Sequence, residues 1–326
     1  MNSVSKPSRT LATKIPTKSP AKALIAPPMR DGVSASCVHL PALNSAMQGG
    51  NQHLTIIDFL IEKFPQIPAE IWYTRLAQQK IYQDNGELVQ RDTPYQANHK
   101  IYYYRELAYE TAIPFTETIL FQNEHLLVVD KPHFVPVSPT GRFVKQSVLV
   151  RLKQTLGNSQ ITPIHRLDRE TAGVMLFSLQ PATRHLYQNL FQNREVTKQY
   201  EAIAAYNPAL MFPRSHQSRL VKGEPFFTMR EIEGTANSLT RIELLEVKQQ
   251  LARYRLHPVS GKQHQLRVHM AALGIPIVND AFYPCVQPKD EADFRAPLQL
   301  LAQQIAFVDP ITQQSVLYKS QQHLNF

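Results

Sequence analysis

The sequence predicts an α+β fold with a mostly antiparallel sheet and flanking helices. Short apolar runs of strand type outnumber the helical stretches, and a few turn residues separate most of them, which is typical of hairpins rather than of βαβ units. The chain has no glycine-rich nucleotide-binding fingerprint and no nucleophile elbow. Its 326 residues suffice for a full-sized core and a smaller module.

Composition favours a polyanionic partner and a reducing compartment. The formal net charge is +9, and residues 1–50 contribute +5 of it, from six bases against Asp31. An excess of this kind favours nucleic acid as the partner. No apolar run approaches the roughly 20 residues that cross a bilayer, and the two cysteines, Cys37 and Cys285, match no metal or redox spacing. We expect a cytoplasmic protein without membrane association, with an organellar address as the alternative for the basic N-terminus.

The chain divides into three predicted parts. Residues 1–50 are expected to form a disordered basic tail, because their first half is rich in Ser, Thr, Pro, Lys and Ala and contains no acids. Residues 51–108 are predicted to form a small module of two short helices and a small sheet, with a hairpin turn at Asn85-Gly86. This module is equally compatible with an RNA-binding appendage and with an ordinary folded unit. Residues 109–326 form the main domain.

The first half of the main domain centres on a charged turn. Strands are predicted over 119–121 and 126–130, and a helix over 147–156. In the stretch 161–179, two apolar runs flank the polar segment HRLDRET, and such short loops at a sheet edge often carry catalytic side chains. Neighbouring arginines favour a charged Asp168, which suits a nucleophile or a base.

The second half contains strands, a basic segment and a helix. Residues 207–227 are irregular and basic and include Arg219; aromatic residues lie nearby, which fits either a loop that clamps RNA or a solvated hairpin. A helix is predicted from Ser260 as N-cap to Gly274 as C′ residue, with Arg267 one turn inside it. The other predicted elements are a helix over 182–192 and strands over 198–205, 239–247, 251–258, 298–308 and 315–318.

The histidines of the predicted helix do not indicate a metal site. His264 and His269 are five residues apart and therefore lie on different helix faces. No third ligand occurs at a useful spacing, so we expect no bound metal.

Four motifs, in the same order, resemble those of the RluA-type pseudouridine synthases. The segment HRLDRETAG at 165–173 is similar to the family signature HRLDxxTSG. The others are VDKP at 129–132, KQY at 198–200 and GKQHQLRVH at 261–269, which resemble the family's DKP strand end and its K-x-Y and GRxHQLRVH elements. The resemblance extends from about Thr118 to the C-terminus, and the small module is loosely similar to one that often precedes this catalytic domain.

Two positions depart from the family pattern. Ala172 stands where the family has Ser, which exchanges one small residue for another. Lys262 stands where it has Arg, which keeps the charge but loses bidentate hydrogen bonding.

The resemblance implies the pseudouridine-synthase fold and the isomerisation of specific uridines in structured RNA, either ribosomal or transfer RNA. The base would be flipped into a pocket, cut from its anomeric carbon and rejoined through carbon 5. Asp168 would be the catalytic carboxylate, Arg267 would pair with it, and Tyr200 would stack on the uracil and help to remove the carbon-5 proton. The predicted RNA contacts are Arg166, His165, Lys131, Lys262, His264 and Arg219. The family needs no cofactor or metal and is monomeric.

Two other functions are compatible with parts of the sequence. A non-catalytic RNA-binding or ribosome-assembly protein would explain the basic charge, but it gives no reason for Asp168, Tyr200 and Arg267 to occupy their motif positions. A glycoside hydrolase needs two carboxylates around the scissile bond, and only Glu170 lies near Asp168 in the sequence.

Overall fold

The computed structural model describes residues 27–42, 55–105, 107, 109–288, 290 and 292–326. These residues fall into two compact units, a small one containing residues 35–104 and a large one containing residues 29–34 and the chain from Arg105 onward. Among the helices of the described part, none combines the length and the apolar composition that a bilayer crossing requires.

The small unit packs two helices and a short sheet around Trp72, which is completely buried. Strands β1 (Ser36–His39), β2 (Ile81–Gln83) and β3 (Lys100–Tyr103) form an antiparallel sheet in the order β1-β3-β2. Helix α1 (Ile56–Lys63) begins with a capping box and is followed by α2 (Ala69–Ala77). The apolar faces of both helices share one core with the strands.

The prediction of a disordered tail over 1–50 is wrong for residues 36–39. These four residues are β1, which is paired along its whole length with β3, from Ser36 opposite Tyr103 to His39 opposite Lys100. The segment is too short to show strand periodicity, and its order comes from pairing with a strand more than sixty residues later. Residues 1–26 and 43–50 of the predicted tail lie outside the described residues.

The large unit is built on a sheet of eleven strands, with three helices in its described residues. The path of the sheet is β10-β9-β11-β12-β8-β13-β7-β5-β4, with β14 beside β13 and β6 beside β7. Among the strand pairs of the described residues only β13–β7 is parallel, so the prediction of an α+β fold with a mostly antiparallel sheet is confirmed. The elements are β4 (Thr118–Gln122), β5 (Leu126–Lys131), α3 (Val148–Leu156), β6 (Thr162–Pro163), β7 (Ala172–Ser178), α4 (Pro181–Gln192), β8 (Thr197–Ala205), β9 (Arg214–Lys222), β10 (Met229–Ile232), β11 (Ser238–Lys248), β12 (Leu251–Pro258), α5 (Gln265–Ala272), β13 (Leu300–Val308) and β14 (Ser315–Lys319).

Strands β5 and β7 are buried along their whole length, because the sheet is covered on both faces here. Alternate residues face opposite cores: Met175 belongs to the core that includes residues of α3, and Leu176 to the core that includes residues of α4. At the start of β7, Gly173 has φ 115°, and a Cβ there would collide with the backbone of Ala302 on β13. Glycine is therefore required where the charged turn enters the sheet.

One predicted helix of the large unit begins later than expected, and one segment with two possible structures forms a hairpin. Helix α5 begins at Gln265 and not at Ser260, since His264 adopts a left-handed conformation with φ 53°. Ser260 instead accepts a hydrogen bond from the Leu239 amide and donates one to the Gln265 side chain, which ties the preceding loop to β11. The basic segment 207–227 contributes β9, which pairs with β10, so it forms part of a hairpin.

Candidate active site

A cavity of about 560 Å³ lies beside the central strands of the large sheet, with residues of β8, β12 and β13 in its lining. The three predicted catalytic residues, Asp168, Tyr200 and Arg267, all line it. They come from the loop between β6 and β7, from the start of β8 and from the first turn of α5. The cavity therefore gathers segments that are far apart in the sequence but joined by the sheet.

The loop that carries Asp168 is held by its main chain. The carbonyl of Asp168 accepts a hydrogen bond from the Thr171 amide at 3.2 Å. Downstream, the Arg169 carbonyl accepts from Lys131 Nζ, and the Glu170 carbonyl bonds His133 Nδ1 at 2.7 Å. With its backbone fixed in this way, the loop presents the Asp168 carboxylate to the cavity.

Arg169, although it follows Asp168 in the sequence, does not supply positive charge to the Asp168 carboxylate. Arg169 points away: its Nε donates to the Phe134 carbonyl, and its guanidinium lies 4.6 Å from the centre of the Phe143 ring. Arg267 supplies the charge, with Nη1 3.7 Å from Asp168 Oδ2. The predicted pairing of Arg267 with Asp168 is present as this longer contact.

Asp280 is the main partner of Arg267. Its two carboxylate oxygens accept from Arg267 Nε at 2.7 Å and from Nη2 at 2.6 Å, a bidentate pair with both side chains at most 2% exposed. Asp280 Oδ1 also accepts from the amides of Phe282 and Tyr283. Burial opposes the charge of Arg267, but the hydrogen bonds and charge of Asp280 outweigh it and raise the Arg267 pKa. The guanidinium is thus fixed, with its remaining edge toward Asp168.

Tyr200 and His264 complete the inner wall of the cavity. Burial, followed by the charge of Asp168, raises the pKa of Tyr200, so its phenol is neutral near pH 7. The Tyr283 hydroxyl accepts from the Met229 amide and bonds His264 Nδ1 at 2.8 Å. If the hydroxyl donates in that bond, His264 carries its proton on Nε2, 3.8 Å from Asp168 Oδ2.

The prediction that Lys131 contacts RNA is wrong. Lys131 is completely buried, and Nζ donates to the carbonyls of Pro132, Val135 and Arg169 at 2.9 to 3.1 Å. These three bonds use all the protons of the ammonium group. Burial lowers the Lys131 pKa to about 7, against the opposing charges of Glu170 and Asp168. Lys131 is a scaffold for the loop that carries Asp168.

The other predicted RNA contacts differ in where they lie. His165 accepts from the Leu176 amide and stacks on Phe191 with ring centres 4.7 Å apart, so it braces the loop; burial lowers its pKa to about 4. His264 faces the cavity, as described above. Arg166 and Lys262 are exposed on the cavity lining. Arg219 is exposed on β9 and is not part of this lining.

No pattern in the sequence pointed to Asp280 or Tyr283. Both follow α5 in an irregular segment, and neither belongs to one of the four motifs. An acid thirteen residues after a motif arginine has no periodic relation to it. Only the turn of the chain after α5 brings the Asp280 carboxylate onto Arg267.

One group of potential metal ligands lies outside the cavity lining. Ligand atoms of His216, Glu231 and His269 lie within 4.8 Å of one another. His216 Nε2 is 2.8 Å from Glu231 Oε1, and the two ring nitrogens of His269 bond the hydroxyls of Ser238 and Thr240. Hydrogen bonding thus accounts for this arrangement. Two of the residues come from β9 and β10, which explains why the histidine spacing near α5 showed no third ligand.

The sequence matches known proteins over the region that forms most of the cavity. The family model described as RNA pseudouridylate synthase matches residues 125–272, which include all four motifs. The dual-specificity RNA pseudouridine synthase RluA of Escherichia coli is 33% identical over 218 residues, covering 62% of this chain and 91% of the relative. The chain belongs to the RluA-type family of RNA pseudouridine synthases. The mitochondrial tRNA pseudouridine(32) synthase of Saccharomyces cerevisiae is 30% identical over 51% of the chain.

A similar fold is seen in a solved structure. Human RNA Pseudouridylate Synthase Domain Containing 4 matches 64% of this chain and 88% of its own, with a TM-score of 0.50 and 25% identity. The curated relatives differ in length. The chain spans only 36% of the yeast protein, and a similar share of a human relative.

Both departures from the RluA-type motifs fit the structure. Ala172 is completely buried where β7 pairs with β13, so a small residue is needed there. Lys262 is exposed at the mouth of the cavity, where a single positive charge is retained without bidentate geometry.

Proposed function

We propose that this chain isomerises specific uridines of structured RNA to pseudouridine, with Asp168 as the catalytic carboxylate and with the target base flipped into the cavity. One observation carries the proposal. Asp168, Tyr200 and the fixed Arg267 converge on a single cavity from three separate segments, in a chain of the RluA-type family. A protein that only binds RNA has no need of a buried arginine held beside a carboxylate.

The reaction exchanges one glycosidic bond for another. The bond between N1 of the base and C1′ of the sugar breaks, the base turns, and C5 bonds to C1′ while the C5 proton leaves and N1 gains one. Asp168 has two chemical routes, capture of C1′ as a nucleophile or removal of the adjacent sugar proton. Either route needs a charged carboxylate at a fixed place, which the contact with Arg267 supports.

Tyr200 and His264 suit the binding and turning of the base. The Tyr200 ring offers a face for the uracil to stack on, and its neutral hydroxyl is available for hydrogen bonding or proton transfer near C5. His264 lies on the same cavity lining as Asp168 and Tyr200. A base inside a cavity of this size must first leave its stack in the RNA.

RNA is the substrate class that the charges support. Besides Arg267, the cavity lining carries the cations Arg166, Arg194, Lys198 and Lys262, and among the residues described there Asp168 is the only carboxylate. The yeast relative is named for position 32 of transfer RNA, and the E. coli relative for dual specificity toward RNA. Transfer RNA and ribosomal RNA are therefore the first substrates to examine. A cytoplasmic location, a monomeric state and RNA binding by the small unit stay predictions.

Pseudouridine mapping tests this function and names the substrate. Total RNA from cells with and without the gene is compared, and the deletion is complemented with wild type or with Asp168→Asn. We expect one or a few sites to vanish on deletion and to return with wild type only. Sites that return equally with Asp168→Asn would contradict the role of the carboxylate. If no site vanishes on deletion, and purified wild type releases no tritium from carbon 5 of labelled ribosomal and transfer RNA, the synthase assignment fails. A binding protein with this fold then becomes the better explanation.

A further inference from the structure

Lys198 occupies an unusual position in the cavity. It is the second residue of β8, two before Tyr200, so the two side chains leave the same face of the strand and both line the cavity. The Lys198 side chain is partly buried, and its Nζ has a single hydrogen bond, 3.5 Å long, to the Ser260 carbonyl. An ammonium group has three protons to donate. Two of them have no partner among the described residues of the protein.

Arg194 places a second cation beside Lys198. It follows α4 in a left-handed conformation with φ 62° and lines the same cavity. Burial lowers the pKa of Lys198, and the positive charge of Arg194 lowers it further. Neither side chain forms an ion pair with a carboxylate of the described residues. Arg194 is exposed and Lys198 is partly buried, so the like charge of Arg194 adds to the cost of holding the Lys198 charge there, as is common where a ligand of opposite charge binds.

The other cations near the cavity contrast with this pair. Arg267 is neutralised by Asp280, and Lys131 donates all three protons to backbone carbonyls. Arg166, Lys262 and Arg194 likewise have no acidic partner among the described residues, but all three are exposed, which is ordinary for surface cations. Lys198 thus differs from them in being partly buried with hydrogen-bond donors to spare, and Arg194 lines the same cavity.

We propose that Lys198 and Arg194 form a phosphate subsite, which holds the RNA backbone phosphate next to the uridine whose base enters the cavity. The subsite rests on the proposed function and deepens it. A phosphodiester supplies the negatively charged partner that neither cation has among the described residues. Its oxygens accept hydrogen bonds from an ammonium group and a guanidinium together. Lys198 and Tyr200 are two residues apart on a strand, roughly 7 Å. That separation allows one wall of the cavity to hold a backbone phosphate and the adjoining base at once.

Through this subsite the enzyme would bind the backbone phosphate of the target nucleotide itself. Contacts of Arg166 and Lys262 with the rest of the RNA would be additional and independent. Neutralising the phosphate next to the target uridine should therefore change the RNA affinity of wild type and of a Lys198 variant by different amounts. Neutralising any other phosphate should change both affinities equally. That difference is the property that the experiment measures.

The experiment combines a protein variant with a phosphate variant. Lys198→Met keeps the aliphatic stem and removes the charge, and Lys319→Met removes one exposed charge at the end of β14 as the matched control. Each is made in the Asp168→Asn background so that RNA binds without turnover. The probes are hairpins around the mapped uridine, each with one neutral methylphosphonate stepped along the loop. Dissociation constants are measured at one salt concentration.

We expect the methylphosphonate next to the uridine to weaken binding by about tenfold or more in the background protein and in Lys319→Met. The same probe should cause little further loss in Lys198→Met, which has already lost the contact. Lys198→Met should also unfold at the same or a higher temperature, because a partly buried charge has been removed. Equal losses in all three proteins at every phosphate would overturn the subsite, as would a lower unfolding temperature with an unchanged affinity for RNA.

The outcomes for the subsite and for the proposed function are separate. If wild type forms pseudouridine and the phosphate scan shows no coupling to Lys198, the subsite alone is refuted. If wild type forms none on any RNA, the proposed function is refuted whatever the scan shows.

Discussion

Asp280→Asn tests whether the buried ion pair holds the site together. Asp280 and Arg267 are almost completely inaccessible, at 1% and 2% exposure, and their two contacts are 2.6 and 2.7 Å long. Asparagine keeps the shape but offers one acceptor in place of two and removes the charge. Arg267 is then left buried with Asp168 as its nearest carboxylate, 3.7 Å away.

The expected loss follows from the burial of the pair. Breaking a buried ion pair from one side costs about 3–5 kcal/mol, and because asparagine preserves one hydrogen bond we expect about 3 kcal/mol. For a unit of this size that corresponds to a fall of roughly 6–12 °C in Tm. Arg267 should also shift toward Asp168, and a displacement of about 1 Å can reduce turnover by about a hundredfold.

The assay separates the two effects with a matched control. Thermal unfolding and tritium release from labelled RNA are measured for wild type, Asp280→Asn and Glu243→Gln, with turnover taken well below the lowest Tm. Glu243 pairs with Arg255 at 3.1 Å, but both side chains are more than a third exposed, so its loss should cost at most about 1 kcal/mol. If Asp280→Asn were as stable and as active as Glu243→Gln, the assignment of Asp280 as the residue that positions Arg267 would be refuted.

Three further predictions concern other parts of the large unit. Burial, together with the charge of His216, lowers the pKa of His269 to about 3 from its ordinary 6.5, so unfolding takes up a proton when the pH lies between these values. The free energy of unfolding should therefore fall by about 1.4 kcal/mol per pH unit as the pH drops through that window. His269→Gln should flatten this pH dependence in urea titrations, and an unchanged slope would contradict a buried neutral histidine. Tyr200→Phe keeps the ring and removes the hydroxyl, so RNA affinity should hold while tritium release falls by about a hundredfold; a wild-type rate would mean that only the ring is used. RNA affinity should fall steeply with salt, and Arg166→Gln should lower the slope of log K against log salt by about 0.7 to 0.9 if Arg166 meets one phosphate; an identical slope would place Arg166 away from the backbone.

The sequence predicted the parts of the site that lie in local patterns. Asp168, Tyr200 and Arg267 each stand inside a short motif, and the sheet brings all three to one cavity. The antiparallel architecture followed from hairpins and apolar alternation, which are properties of neighbouring residues. These features could be found without tertiary information.

The parts that the sequence did not predict depend on tertiary contacts. A lysine in a charged motif is expected at the surface, but Lys131 lies at the end of a fully buried strand where three carbonyls converge. Asp280 is positioned by an irregular turn, and β1 is ordered by a distant strand. The start of α5 was misplaced because Ser260 has the chemistry of an N-cap but uses its hydroxyl to bond the Gln265 side chain.

The most direct test of the central claim is the turnover of purified Asp168→Asn on an RNA that wild type modifies. RNA affinity and tritium release from carbon 5 are measured on the same preparation. The carboxylate is exposed to the cavity and Asn has nearly the same shape, so we predict a folded protein with unchanged RNA affinity and no release above background. Release at a rate near that of wild type would show that the Asp168 carboxylate is not the catalytic group.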